Sequence, residues 1–337
     1  MIWYKNQNEN DDIMVSTRVR FARNLGEYPF PNAMKREDMD AAKKKIFDAL
    51  DAERDIFPGG FRKINMSDND MTGRQVMVEK HLISSELAGK NDASAAIGAD
   101  DEVSIMLMEE DHIRLQVIKG GFAVREAFDE ANMVDDAIER HCGYAFSEKF
   151  GYLTACPTNT GTGMRVSVMM HLPALTMTGN IDKIIASASK LGLAVRGLYG
   201  EGSKAYGSLY QLSNQITLGF SEQEIIAKLE NIAGQIKKHE EDARAAIKDK
   251  PEVADRLWRS LGTLHYARTI SSREAKALLS DYILGNSMGI IDEKIKQSPI
   301  ELMVLTEPAH IRQIAGGEEL TPEMRDMRRA ELLRSSM

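Results

Sequence analysis

Ser104–Ile118 reads SIMLMEEDHIRLQVI, two mostly apolar runs separated by the acidic stretch Glu109–Asp111. A chain that runs apolar, turns through charge and runs apolar again predicts a β-hairpin. Strand-like runs recur around it: IMVSTRVRFARNL, FGYLTA, MRVSVMMHLP, LAVRGLYG and AYGSLYQLSNQI. Helical patterns fall between them at 35–54, 72–85, 122–141 and 179–191, the second opening at Thr72 and Gly73. Strands with inserted helices predict an α+β fold, a mainly antiparallel sheet flanked by helices. Near residue 220 the character changes. SEQEIIAKLENIAGQIKKHEEDARAAIK carries apolar residues at helical spacing, with Ser221 as N-cap and Glu224 completing a capping box. More helices follow, down to TPEMRDMRRAELLRSS. Residues 1–220 therefore read as one domain and 221–337 as a small all-α domain.

Composition narrows the function. The 337 residues are 43% hydrophobic and 28% charged, which is ordinary for a soluble globular chain. A net charge of -8 argues against direct nucleic-acid or membrane-surface binding. No apolar run is long enough to span a bilayer, and MIWYKNQNENDD lacks a signal-peptide profile. Cys142 and Cys156 show no metal-ligand spacing, so no protein-bound metal is expected and a reducing, cytoplasmic setting is the default.

Arginines carry the chemical signal. Arg18 and Arg20 stand two apart in STRVR, so on a strand they share a face. Arg114 follows the hairpin acids, Arg165 closes the turn CPTNTGTGMR (156–165), and Arg196 ends LAVR. Any one of them alone is more often a solvated surface arginine. Embedded in apolar strands, however, a guanidinium needs an anionic partner. Five converging guanidiniums would suit a nucleotide triphosphate, because their rigid forks of donors match phosphate oxygens. The chain contains no GxxxxGK[ST], HRD or DFG, so the P-loop and the common protein-kinase machinery are absent. The glycine turn reads equally as an ordinary tight turn or as backbone brought close to a bound group. Glu109, Glu110, Asp111 and Glu201 read either as solvated turns or as carboxylates that orient a cationic nucleophile and take its proton. His81, in the helical pattern VEKHLIS, is either structural or a stacking partner for a nucleotide.

STRVR, EEDHIR, CPTNTGTGMR and RGLYGEGS, in that order, resemble the catalytic domain of the phosphagen (guanidino) kinases. Those enzymes move the γ-phosphoryl of Mg-ATP onto a guanidinium nitrogen. The resemblance implies ATP and Mg²⁺ as cofactors, with Arg18, Arg20, Arg114, Arg165 and Arg196 on the phosphates. It adds Ser16, Thr17, Val19, Val166, Ser167, Val168, Met169, Gly197, Leu198, Tyr199 and Gly200 to the nucleotide site, with His81 near the adenine. It also implies that Glu110 and Glu201 grip the acceptor guanidinium, with Cys156 beside it. The physics agrees, because a protonated guanidinium is a poor nucleophile that two carboxylates can align and deprotonate. Arginines and Mg²⁺ then neutralise the phosphoryl in flight. A Cys156 thiolate would orient the guanidinium and be open to oxidation, tuning the reaction rather than carrying it.

Two departures point to one branch of that family. Small-molecule phosphagen kinases carry a helical domain of about a hundred residues ahead of this region. Fifteen residues precede Ser16 here, so an open acceptor side is expected. In addition, a helical C-terminal region ends in RDMRRA, Arg325–Ala330. Both features resemble the branch that phosphorylates arginine side chains in proteins. RDMRRA on its own is a solvated helix face or a site. By resemblance Arg325, Asp326 and Arg329 form an allosteric phosphoarginine-binding site. The same resemblance implies a homodimer, an activator protein, protein substrates with exposed arginines, delivery to the Clp protease system and a role in the stress response. A kinase of a free guanidino metabolite and a non-catalytic phosphoarginine-binding regulator are the alternatives.

Overall fold

The structure is a computed structural model that describes residues 2–5, 11–57, 59–198 and 205–337. Tyr199, Gly200 and Glu201, three of the expected site residues, lie outside the described residues.

The strands, in chain order, are β1 (Met14–Arg23), β2 (Phe61–Asn65), β3 (Ser94–Gly98), β4 (Val103–Leu107), β5 (Ile113–Gly120), β6 (Phe146–Ser147), β7 (Gly151–Tyr152), β8 (Met164–His171), β9 (Leu193–Gly197) and β10 (Leu209–Asn214). The helices are α1 (Arg36–Ala52), α2 (Met71–Glu79), α3 (Ser85–Ala88), α4 (Val124–Glu139), α5 (Pro173–Met177), α6 (Ile181–Lys190), α7 (Glu222–Ile247), α8 (Pro251–Tyr266), α9 (Ser272–Ser287), α10 (Pro299–Leu305), α11 (Pro308–Ile314) and α12 (Pro322–Ser336). The residues gather into two compact units that are discontinuous in sequence.

The first unit holds residues 2–3, 17–167 and 213–230. Its strands run in the order β2-β3-β4-β5-β1, with the first half of β8 beside β1. The hairpin read from Ser104–Ile118 is present, with Met106 opposite Arg114 and Leu107 opposite Ile113 in antiparallel register. β2 and β3 pair antiparallel as well, although neither stood out in the sequence. FRKIN is an edge strand that buries little, and SAAIG relies on small residues. Met66, Met77, Leu82, Leu87, Ile97 and Met106 pack into one apolar cluster behind β3 and β4. FGYLTA adds no strand to the main sheet, because β6 and β7 close on each other as a small hairpin.

The expected helix 72–85 is shorter and starts earlier. Asp70 is its N-cap, accepting from Gly73 N at 2.7 Å, and α2 ends at Glu79. His81 therefore sits beyond the helix, at a φ of 61°. The capping box forms as read: Ser221 N donates to Glu224 Oε2 at 2.8 Å and Glu224 N to Ser221 Oγ at 3.3 Å.

The second unit holds residues 4–16, 168–212 and 231–337. It contains β9, α5, α6, α8–α12 and the greater part of α7. Leu257, Leu261, Leu264, Leu279 and Leu284 form the buried side of α8 and α9. Glu240, fully buried on α7, accepts from Ala174 N and Leu175 N at 3.0 and 2.9 Å. Its carboxylate thus satisfies the free amides at the start of α5. Arg244, one turn on, donates to Glu240 at 2.9 Å and balances that buried charge.

Candidate active site

Four of the five arginines converge in the first unit. Arg114 on β5, Arg18 and Arg20 on β1 and Arg165 on β8 occupy adjacent strands, in the order β5-β1-β8. The alternation of β1 buries Thr17, Val19 and Phe21 and puts Arg18 and Arg20 together on the other face. Their charges act on one another. Desolvation, then Arg114 and Arg165, hold the Arg18 pKa down to about 10. Desolvation and the other three guanidiniums push Arg20 well below its ordinary value, with Glu109 opposing them. Arg20 Nε is a buried donor without an acceptor among the described residues. Like charges held this close with so little counter-charge are set up for a polyanion, and a triphosphate fits the donor set.

Opposite the arginines, Glu109, Glu110 and Asp111 close the β4–β5 turn. A cavity of about 120 Å³ lies between Arg20, Glu109, Glu110, Asp111, Arg114, Asn159, Gly163 and Arg165. Met108 turns the chain at a φ of 64° and donates from its N to His112 O at 3.1 Å. The three acids then diverge. Glu109 is buried and pairs with Arg114 and with Ser84 Oγ. Asp111 is buried and accepts from Asn24 Nδ2 at 2.6 Å and Ala155 N at 2.7 Å. Glu110 is exposed and makes no hydrogen bond among the described residues. Partial desolvation, with the charges of Asp111, Glu86 and Glu109, raises its pKa. Burial likewise raises Asp111, against the bonds from Ala155 and Asn24.

The turn after Thr154 forms the third wall. Thr154 Oγ1 donates to Cys156 O at 2.8 Å, and the half-buried Cys156 thiol lies 3.0 Å from Thr158 Oγ1. Both cysteines are free thiols. Thr217 Oγ1 holds the loop through Thr158 O at 2.9 Å and Thr160 O at 2.7 Å. Gly161, at a φ of 119°, packs so tightly that a Cβ would stand 2.3 Å from Thr217 O. The turn is thus a built wall as well as a tight turn. Arg23 pins its far end by donating to Thr162 O at 3.0 Å, while pairing with Asp135 and covering the Tyr152 ring at 3.6 Å.

The remaining expected residues are placed differently. Thr17 Oγ1 donates to Gly121 O and accepts from Ala123 N, so its hydroxyl ties β1 to the start of α4. Val19 and Val166 are interior, Val166 N donates to Asn214 Oδ1, and Ser167 Oγ donates to Arg18 O. Ser16, Val168, Met169, Arg196, Gly197 and Leu198 belong to the second unit, where Arg196 is exposed at the end of β9. His81 is half-buried and stacks on the Trp3 ring, with centroids 5.1 Å apart. Desolvation and Arg18 lower its pKa to about 3, so the ring is neutral.

On α12, Arg325 and Asp326 are half-buried, and Arg325 Nη1 donates to Leu320 O at 2.8 Å. Arg329 is 1% exposed, donating to Thr306 O, Ile270 O and Asp326 Oδ1. Its guanidinium anchors the helix from inside. Asn24 and Arg23 escaped the sequence reading, because their partners lie tens of residues away. Among the described residues no group of three His, Cys, Asp or Glu side chains is arranged to hold a metal ion. No described helix is long and apolar enough to cross a membrane.

The chain matches the ATP:guanido phosphotransferase C-terminal catalytic domain over residues 41–243 and the protein-arginine kinase McsB C-terminal domain over residues 250–337. It is 46% identical over 338 residues to a protein-arginine kinase of Halothermothrix orenii, covering 99% of this chain and 96% of that one. It is 45% identical over 337 residues to the protein-arginine kinase of Bacillus subtilis, covering 99% and 93%. Among solved structures, the substrate-free duplicated taurocyamine kinase of Schistosoma mansoni superposes with a TM-score of 0.61 at 22% identity, over 78% of this chain and 39% of that chain. A lombricine kinase gives a TM-score of 0.60 at 21% identity, over 72% and 73%. At that identity the solved structures speak for the fold.

Proposed function

The chain belongs to the ATP:guanido phosphotransferase family, in its protein-arginine kinase branch, and we propose that it transfers the γ-phosphoryl of ATP to the guanidinium of arginine side chains in proteins. One observation carries this reading: three guanidiniums, Arg20, Arg114 and Arg165, line a cavity of about 120 Å³ together with a single exposed carboxylate, Glu110.

The chemistry follows from that placement. Arg18, Arg20, Arg114 and Arg165 hold the polyphosphate and neutralise its charge as the γ-phosphorus leaves the β-phosphate oxygen. Glu110 aligns the acceptor guanidinium and takes the proton that its nitrogen loses on bonding to phosphorus. ADP and phosphoarginine are the products. The raised pKa of Glu110 suits proton acceptance, because a carboxylate raised above its ordinary value binds the proton more firmly. Mg²⁺ bound to phosphate oxygens would supply further charge neutralisation. Glu201 is the second carboxylate of this reading and Cys156 flanks the acceptor. The helical region from residue 221 is assigned to regulation, with Arg325 and Asp326 as the accessible part of a phosphoarginine site. A dimer acting with an activator in the cytoplasm, marking proteins for Clp proteolysis under stress, completes the proposal.

The test uses labelled ATP with an unfolded arginine-rich protein and free arginine in parallel. Acid-labile label on the protein, lost in Glu110→Ala, is the expected result. Label on free arginine alone makes the chain a metabolite kinase. No label on either makes it a binding protein.

A further inference from the structure

The Asn24 side chain, at the exit of β1, is 1% exposed and uses both ends of its amide. Nδ2 donates to Asp111 Oδ1 at 2.6 Å and to Leu153 O at 3.1 Å, while Oδ1 accepts from His112 N at 2.9 Å. These partners dictate the orientation of the amide, since a carboxylate can only accept and a backbone N–H can only donate. The same Asp111 oxygen accepts from Ala155 N at 2.7 Å, the residue before Cys156. Leu25 N then donates to the His112 ring at 2.9 Å. One carboxamide therefore joins the end of β1, the acidic turn and the loop that bears the thiol.

We propose that Asn24 is a positioning residue for phosphoryl transfer, fixing Glu110 and Cys156 relative to each other on the acceptor side. The proposal rests on the reading of Glu110 as the acceptor carboxylate. Glu110 makes no bond of its own among the described residues, so its aim depends on its tethered neighbours. Glu109 is held by Arg114, and Asp111 by Asn24 and Ala155. Loosening Asp111 frees one side of Glu110 and the amide next to Cys156 in a single step. An aspartate at position 24 would face Asp111 acceptor to acceptor, a serine would be too short, and a leucine would offer neither donor nor acceptor. Only an amide meets all three partners.

The test compares the native chain with Asn24→Asp, which sets a carboxylate against Asp111 and against Leu153 O. Asn24→Asp is expected to lower kcat on an arginine peptide about 10- to 100-fold, with KM for ATP within about twofold, because misplacement near 1 Å costs that much. Exchange of the Ala155 amide speeds up in the variant, because its acceptor on Asp111 is no longer held in place. Unchanged kcat, unchanged exchange at Ala155, or kcat falling in step with a raised KM for ATP would overturn the proposal. If Asn24→Asp does not fold, Asn24→Ser is measured against the same criteria. A native chain that labels no arginine defeats the functional reading instead, and exchange at Ala155 still tests the clamp.

Discussion

Arg114 Nη1 donates to both carboxylate oxygens of Glu109, at 2.7 and 2.6 Å. That pair decides how the neighbouring acids are used. Glu109, almost fully buried, is the counter-charge of the arginine cluster, and Asp111 is drawn the other way to Asn24. Glu110 is left exposed, with no hydrogen-bond partner among the described residues.

Glu110→Gln is therefore expected to lower kcat by roughly 10²- to 10⁴-fold, the range of a lost general base, with ATP affinity and melting temperature unchanged. Glu109→Gln should behave oppositely. It strips the charge that faces Arg114, so the melting temperature falls and ATP affinity changes. Phosphoryl-transfer kinetics beside a thermal melt separate the two.

Arg20 shows a conflict between stability and function. Its Nε lacks an acceptor among the described residues, and three guanidiniums oppose its charge. Arg20→Met should stabilise the nucleotide-free chain by about 1 kcal/mol or more while abolishing transfer. Urea unfolding with and without ATP checks both signs. ATP should stabilise the native chain far more than the variant.

The acid limb of kcat should lie above the ordinary carboxylate value of 4.5, because the folded Glu110 pKa is raised. A protonated Glu110 cannot accept the guanidinium proton, so activity rises only as pH climbs through that higher value. Glu86→Gln removes one of the like charges and should move the limb down. The stability linkage has the opposite sense. A folded state that holds this proton more tightly loses stability as pH rises through the window above 4.5. A pH–rate profile of each chain reads the shift.

Gly161→Ala should cost about 3 kcal/mol or more, since the new Cβ meets Thr217 O at 2.3 Å at a φ of 119°. The damage should reach kcat as well, because the same loop carries Cys156. Equilibrium unfolding together with activity tests this.

Arg329→Ala should destabilise by about 2–4 kcal/mol, leaving the Thr306 and Ile270 carbonyls without their buried donor. Arg325→Ala should stay within about 1 kcal/mol. Any phosphoarginine response lost without loss of stability should map to Arg325 and Asp326. Calorimetry with a phosphoarginine peptide distinguishes the two arginines.

Local patterns in the chain were enough to predict much of this molecule. Alternation in STRVR put Arg18 and Arg20 on one face, apolar runs around EED made a hairpin, and Ser221 with Glu224 started a helix. Each depends on residues a few positions apart, where side-chain direction follows directly from backbone period. FRKIN was invisible because an edge strand buries too little to show alternation, and the His81 helix was overextended because Asp70 and the turn after Glu79 set its ends. The resemblance had already singled out Glu110 among three consecutive acids, but tertiary structure alone decided how each of the three is held. Their sequence environments are nearly identical, whereas their partners are Arg114 for one, Asn24 and Ala155 for another, and none among the described residues for Glu110. A carboxylate's role is set by the charges and donors that folding brings to it, and the donors that hold Asp111 lie 87 and 44 residues away in the chain.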